Sequence, residues 1–214
     1  MPQNKLVVSG FQRGGGKAEN VTPKVAVYDL NTGNEDFSFF LMKPGKVTMR
    51  SYAVTGTPLL LKNQLLIPTS QGIIAKSKTG ETLWENKVKN VNWMTNNESE
   101  TDIYAFAKTS NGKNTRIYKI NANGSEAWSE ERKVKGGISN FQILQQGLAV
   151  VSDVADTGKK GLAKLAASKA ESRITMFSAA SGEDLWEKAP KTKGYVQHFY
   201  IMDDGILFGI KQGG

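Results

Sequence analysis

Three places in this 214-residue sequence hold side chains of a kind that could do chemistry. His198, in YVQHFYIM, is the single histidine of the chain. An imidazole titrates near neutral pH and can serve as general base. A hydrolytic triad, however, needs an acid and a nucleophile in reach. Neither stands at a recognisable spacing, so His198 reads as a packed or surface residue on a strand beside Val196 and Phe199. GGGK at 14–17 invites a phosphate-loop reading, in which glycine N–H groups cradle an anion. That pattern needs a glycine where Phe11 stands and a Ser or Thr where Ala18 stands, so a flexible glycine-rich loop is the better reading. Asp203 and Asp204 precede Gly205, where turn chemistry alone accounts for them. A calcium site needs more oxygen ligands than can be located around them.

What the sequence lacks narrows the chemistry further. It has no cysteine, which excludes disulfides, thiolate metal sites, iron–sulfur clusters and a cysteine nucleophile. One histidine excludes a histidine-based metal cluster. No window reaches the ~18 consecutive apolar residues of a membrane span, and MPQNKLVVSGFQRGGGK lacks the layout of a signal peptide. The net charge is +8, from 28 Lys and Arg against 20 Asp and Glu, and favours anionic partners.

The elements that would position these residues come from an internal repeat. AVYDLNTGNEDFSF (26–39), IIAKSKTGETLWEN (73–86), IYKINANGSEAWSE (117–130) and TMFSAASGEDLWEK (175–188) align without gaps. Their glycines are Gly33, Gly80, Gly124 and Gly182, and four residues after each comes a large aromatic: Phe37, Trp84, Trp128 and Trp186. Alternating apolar residues before each glycine predict a strand. The tetrads NTGN, KTGE, ANGS and ASGE predict hairpin turns in which glycine supplies a positive φ. The aromatic is then expected on the outgoing strand, packed between neighbouring sheets. Two further short strands lie between successive hairpins, making four antiparallel strands, A to D, over about 45 residues, the period of a β-propeller blade.

AKSKTGETLW and FSAASGEDLW resemble the docking motif of PQQ-like, quinoprotein-type propeller repeats, roughly Ala-x-Asp-x-x-Thr-Gly-x-x-x-Trp. YDLNTGNEDF keeps Asp-x-x-Thr-Gly but has Phe37 for Trp, and NANGSEAW keeps only Gly and Trp. The resemblance implies an all-β fold: a PQQ-like β-propeller of four-stranded antiparallel blades, about four to five in number and either complete or incomplete. It covers 1–214 as a single domain. Blade docking would fall to Phe37, Trp84, Trp128, Trp186 and the four turn glycines. The chain opens on strands B, C and D of one blade and closes on A and B of another. It is therefore expected to be a fragment of a longer propeller, or to close a small ring by pairing its ends.

Residues 155–172 form an insertion rich in helix formers, GLAKLAASKAES among them, and predict a helical B–C loop of about three turns. The long B–C loops 12–24, 108–116 and 155–173 carry +2, +3 and +3, as much as the excess of the whole chain. The C–D turns carry Asp29, Glu35, Asp36, Glu81, Glu126, Glu183 and Asp184 against Lys76, Lys78 and Lys119. One face is thus expected to be basic and the other acidic. Arg13, Lys17, Lys113, Arg116, Lys159, Lys160, Lys164 and Lys169 are the candidate binding residues.

Relatives implied by the resemblance include enzymes that hold pyrroloquinoline quinone and calcium, many with an adjacent cysteine pair. They also include non-catalytic scaffolds, such as the propeller lipoprotein of the bacterial outer-membrane assembly machinery. The cysteine count fits the second group. The expectation is a non-enzymatic protein-interaction scaffold with no catalytic residue, metal or cofactor. Its partner would be a protein, an anionic one fitting best, and open blade edges would permit self-association. Two alternatives stand beside it: a segment of a quinoprotein-type dehydrogenase, and a binder of anionic ligands through the basic loop face. Nucleic acid is not expected, because surface aromatics are not interleaved with the basic residues. The resemblance implies a periplasmic or extracellular setting, with the cytoplasm left open.

Overall fold

The computed structural model describes residues 4–13, 21–41, 53–154, 171–202 and 205–211. Every regular element among them is a strand. The first sheet is β1 (Lys5–Arg13), β2 (Val21–Asp29) and β3 (Glu35–Phe40), in that order. Three four-stranded sheets follow. They are β4 (Leu59–Leu60) to β7 (Thr82–Asn86), with β5 (Leu65–Thr69) and β6 (Gly72–Lys76) between; β8 (Val91–Asn96), β9 (Asp102–Lys108), β10 (Asn114–Asn121) and β11 (Arg132–Lys135); and β12 (Gly137–Leu144), β13 (Gly147–Val154), β14 (Glu171–Ser178) and β15 (Lys191–Lys193). The hairpin β16 (Tyr195–Met202) and β17 (Gly205–Lys211) closes the described chain. Each four-stranded sheet keeps its strands in sequence order, the A-B-C-D meander of a propeller blade.

The inner strands read as continuous apolar runs because both of their faces are covered. Every residue of β5 and β6 is buried, as are Ile103–Ala107 of β9 and 147–152 of β13. Each fully buried Leu or Ile there, such as Leu66 or Ile73, contributes roughly 1.5–3 kcal/mol of apolar transfer.

The chain divides into two compact units, Met1–Ala107 with Ile120–Glu126, and Lys108–Lys119 with Ala127–Gly214. The division needs no linker, since each repeat in such an array contacts mainly its neighbours. In the first unit Val25, Val27, Leu41, Leu65 and Ile67 form a core with Phe37, Phe39 and Leu60 against it. In the second, Ala149, Val151, Ile174, Met176, Val196 and Phe199 form another, with Trp186, Ile201 and Ile206 against it.

Two local expectations change, and a third falls almost wholly outside the described residues. Phe37 and Trp84 lie on outgoing strands, β3 and β7, but Trp128 and Trp186 do not. After Gly124 and Gly182 the chain makes only the isolated bridges Ile120–Glu126 and Phe177–Asp184, and regular pairing resumes at Arg132 and Lys191. Second, the β9–β10 connection is shorter than expected. Thr109 N donates to Asn114 O at 3.0 Å and Gly112 N to Thr109 O at 2.8 Å, so Lys108 and Arg116 stand on strands and Lys113 in the turn. Third, the expected helical insertion 155–172 lies outside the described residues except for Glu171 and Ser172, which open β14.

Candidate functional site

The turn glycines and the aromatics meet between successive repeats. In the first unit the Trp84 indole lies over the turn at Gly124, whose φ is +88°. A Cβ on Gly124 would stand 2.5 Å from Trp84 Cδ2, a distance no side chain tolerates. Trp84 Nε1 donates to Gln64 Oε1 and to Ala122 O, each at 2.9 Å. Asn86 Nδ2 donates to Gly124 O at 3.0 Å. The second unit repeats the device: a Cβ on Gly182, φ +75°, would lie 2.7 Å from Trp128 Cδ2. Trp128 Nε1 donates to Ala179 O at 3.2 Å, and Lys119 Nζ donates to the same oxygen at 2.7 Å. Trp128 is buried, whereas Trp84 and Trp186 are half-buried.

At Gly80 the partner is Phe39 rather than the expected Phe37. A Cβ on Gly80 would lie 2.9 Å from Phe39 Cβ, and Phe37 stacks on Phe39 with centroids 6.2 Å apart. The β2–β3 ladder slips between Val27 and Tyr28, while the two phenylalanines stay on one face of β3 opposite Val27 and Val25. The partner of the next turn falls two residues further along the strand.

The candidate binding residues fare unevenly. Lys17, Lys159, Lys160, Lys164 and Lys169 lie outside the described residues, and Arg13 ends β1 opposite Val21. Lys113 is exposed in the β9–β10 turn, and its carbonyl accepts from Gly136 N at 2.8 Å. That bond brings a B–C turn beside a D–A connection in the second unit. Arg116 Nε stands 3.2 Å from Glu131 Oε1, and Tyr118 Oη also contacts the Glu131 carboxylate. The hydrogen bond with Tyr118 and the charge of Glu131 both hold the guanidinium above its ordinary pKa. Much of its positive charge is thus answered within the sheet. His198 is exposed on β16, paired with Gly209.

In the first unit, a cleft of about 320 Å³ is lined by Lys5, Val27, Asp36, Phe37, Leu60 and Lys78. Lys5 Nζ stands 2.7 Å from both Asp29 Oδ2 and Asp36 Oδ2. The bond from Lys5, with backbone N–H donors from Thr32 and Asn31, holds the Asp29 carboxyl down at about 2. This is a lysine anchoring two turn carboxylates.

A second repeat escaped the sequence reading. Lys87-Val88-Lys89-Asn90, Lys133-Val134-Lys135-Gly136 and Lys191-Thr192-Lys193-Gly194 each stand immediately before an A strand. In all three the lysines are exposed and the residue between them is buried. The closing residue has positive φ each time: 60°, 89° and 102°. The motif stands nine residues after the turn glycine in two copies and seven in the other, and it closes on Gly in two copies and Asn in the third, so no single spacing reveals it.

The sequence matches the PQQ-like family described as outer membrane protein assembly factor BamB over residues 24–199. The chain belongs to this family. Among solved structures, the Kuenenia stuttgartiensis hydrazine synthase is similar at 12% identity and a TM-score of 0.54, over 90% of this chain and 58% of that one. A Bacteroides caccae protein of unknown function is similar at 13% identity and a TM-score of 0.44, over 92% and 63%. The chain thus spans about three fifths of the length of each. No curated protein matches it. The PQQ-like family explains why the turn glycine and the large aromatic recur together: in this chain each pair locks one repeat to the next. Among the described residues no three His, Asp or Glu side chains converge as a metal site needs.

Proposed function

We propose that the protein is a non-enzymatic PQQ-like interaction module that binds another protein through the loop side of its blades. The observation that carries this reading is the match, over most of the chain, to a family described as an assembly factor. An assembly factor works by holding partners, and the indole-over-glycine locks supply a rigid frame for loops that do so. The bond between Lys113 and Gly136 supports gathering B–C and D–A connections at one end of a sheet. Arg13, Lys17, Lys113, Arg116, Lys159, Lys160, Lys164 and Lys169 are the contact residues of this reading, which places the protein in the periplasm.

The test is affinity capture from cell-envelope extract over a salt series, with the parent chain and with Lys159, Lys160 and Lys164 changed together to Glu. A contact through exposed charges weakens as salt shortens the Debye length to about 8 Å. The reading expects a defined partner that is lost with salt and lost in the triple variant. A chain that retains every partner in both conditions contradicts the loop-side contact. Recovery of no protein partner contradicts the module itself.

A further inference from the structure

Two of the three lysine pairs sit on strands that, among the described residues, are paired along one side only. β11 and β15 are the edge strands of their sheets, both in the second unit. Hydrogen-bonded and non-hydrogen-bonded pairs alternate along an antiparallel ladder. Gly136 N donates to Lys113 O, so positions 113/136, 115/134 and 117/132 are the hydrogen-bonded pairs of β10 with β11. Ile174 N donates to Pro190 O at 3.0 Å, so 174/190 and 172/192 play that part between β14 and β15. In consequence, Val134 and Thr192 direct their amides into the sheet. Lys133, Lys135, Lys191 and Lys193 turn theirs outward. Each residue with an outward amide thus also carries an exposed ammonium group.

From this coincidence we infer that β11 and β15 take up an acidic, extended segment of a partner protein by strand addition, its carboxylates opposite the edge lysines. Strand addition draws affinity from main-chain bonds and specificity from alternate side chains. Opposite charges facing each other across a ladder add to it, and like charges subtract. The sheet already contains such a pair: Glu171 stands opposite Lys193. The Glu171 carboxylate, which accepts from Arg173 Nε at 2.6 Å, is held below its ordinary pKa chiefly by that bond and further by the charges of Lys191 and Lys135. The same lysines repel a second copy of this chain, whose edge would bring lysine opposite lysine. An anionic bilayer would use the charge but leave the outward amides without a role.

The inference rests on the interaction-module reading and names its partner's chemistry. The probe is a fluorescein-labelled peptide of alternating Glu and Val, blocked at both ends, titrated by anisotropy against the full chain. Its controls are a Lys-Val peptide and an acidic peptide N-methylated at alternate residues, which keeps its charge but cannot pair along one edge. The acidic peptide is expected to saturate and the two controls are not. Lys191→Glu with Lys193→Glu should weaken it about tenfold or more, with Lys191→Gln and Lys193→Gln in between and circular dichroism unchanged. Equal binding of the N-methylated peptide overturns strand addition. So does binding to vesicles containing phosphatidylglycerol without binding to the peptide, which assigns the lysines to a membrane. Failure of the peptide while envelope partners are still captured removes the edge assignment and leaves the module standing. Loss of all partners with the peptide still bound removes the module reading alone.

Discussion

The indole of Trp84 covers Gly124 so closely that the turn has no room for a methyl group: Cδ2 would be 2.5 Å from it. Two residues 40 positions apart are thereby fixed to each other's identity, and Trp128 with Gly182 repeats the arrangement. Gly124→Ala combines this clash with a left-handed φ. It should cost about 3 kcal/mol or more. Gly33→Ala is the control, since its φ is +72° but no atom lies within 4 Å of its Cβ position. It should cost only about 1–2 kcal/mol. Urea unfolding of the two variants checks this, and equal losses would mean that the turn, and not the docking, carries the cost.

The tryptophans should rank by burial. Trp128→Ala, at 3% exposure, should cost about 3–5 kcal/mol, and Trp84→Ala less. Trp84→Phe preserves a ring over Gly124 but leaves Gln64 Oε1 and Ala122 O without the indole donor. It should fall between Trp84→Ala and the parent in thermal unfolding.

Asp29 should titrate at about 2, below its ordinary 3.8, because Lys5 and two backbone N–H groups favour the carboxylate. A depressed folded value means the contribution is present above the ordinary value and is lost as pH falls through the range between 3.8 and about 2. Lys5→Met should move the Asp29 carboxyl midpoint upward in a carbon-detected NMR titration. An unmoved midpoint would place the cause in the turn backbone alone.

Replacing Lys191 and Lys193 with Val leaves the outward amides of β15 intact and removes the charge that guards them. The variant should self-associate more strongly than the parent, since charged residues on edge strands oppose edge-to-edge pairing. Light scattering over a concentration series checks this.

The repeat was legible because its parts are local. A turn glycine followed at four residues by an aromatic is visible in one line of sequence, and so is the strand alternation around it. The partner of Gly80 was not legible. Phe37 and Phe39 share one face of β3, and which of them meets the turn depends on how the next repeat packs against that face, which no single segment reveals. The displacement of the outgoing strand to Arg132 and Lys191 was hidden for a related reason. Trp128 lies over the turn at Gly182, and regular pairing of β10 with β11 resumes only at Arg132. The ion pair of Arg116 with Glu131 and the lysine pairs of β11 and β15 were not legible, because they depend on which strands lie side by side and not on charge within one loop.

The central proposal is that this PQQ-like array binds protein and not pyrroloquinoline quinone. Isothermal titration of the full chain with pyrroloquinoline quinone, with and without calcium, tests it most directly. The account predicts no saturable heat in either condition. Saturable binding that depends on calcium would contradict it.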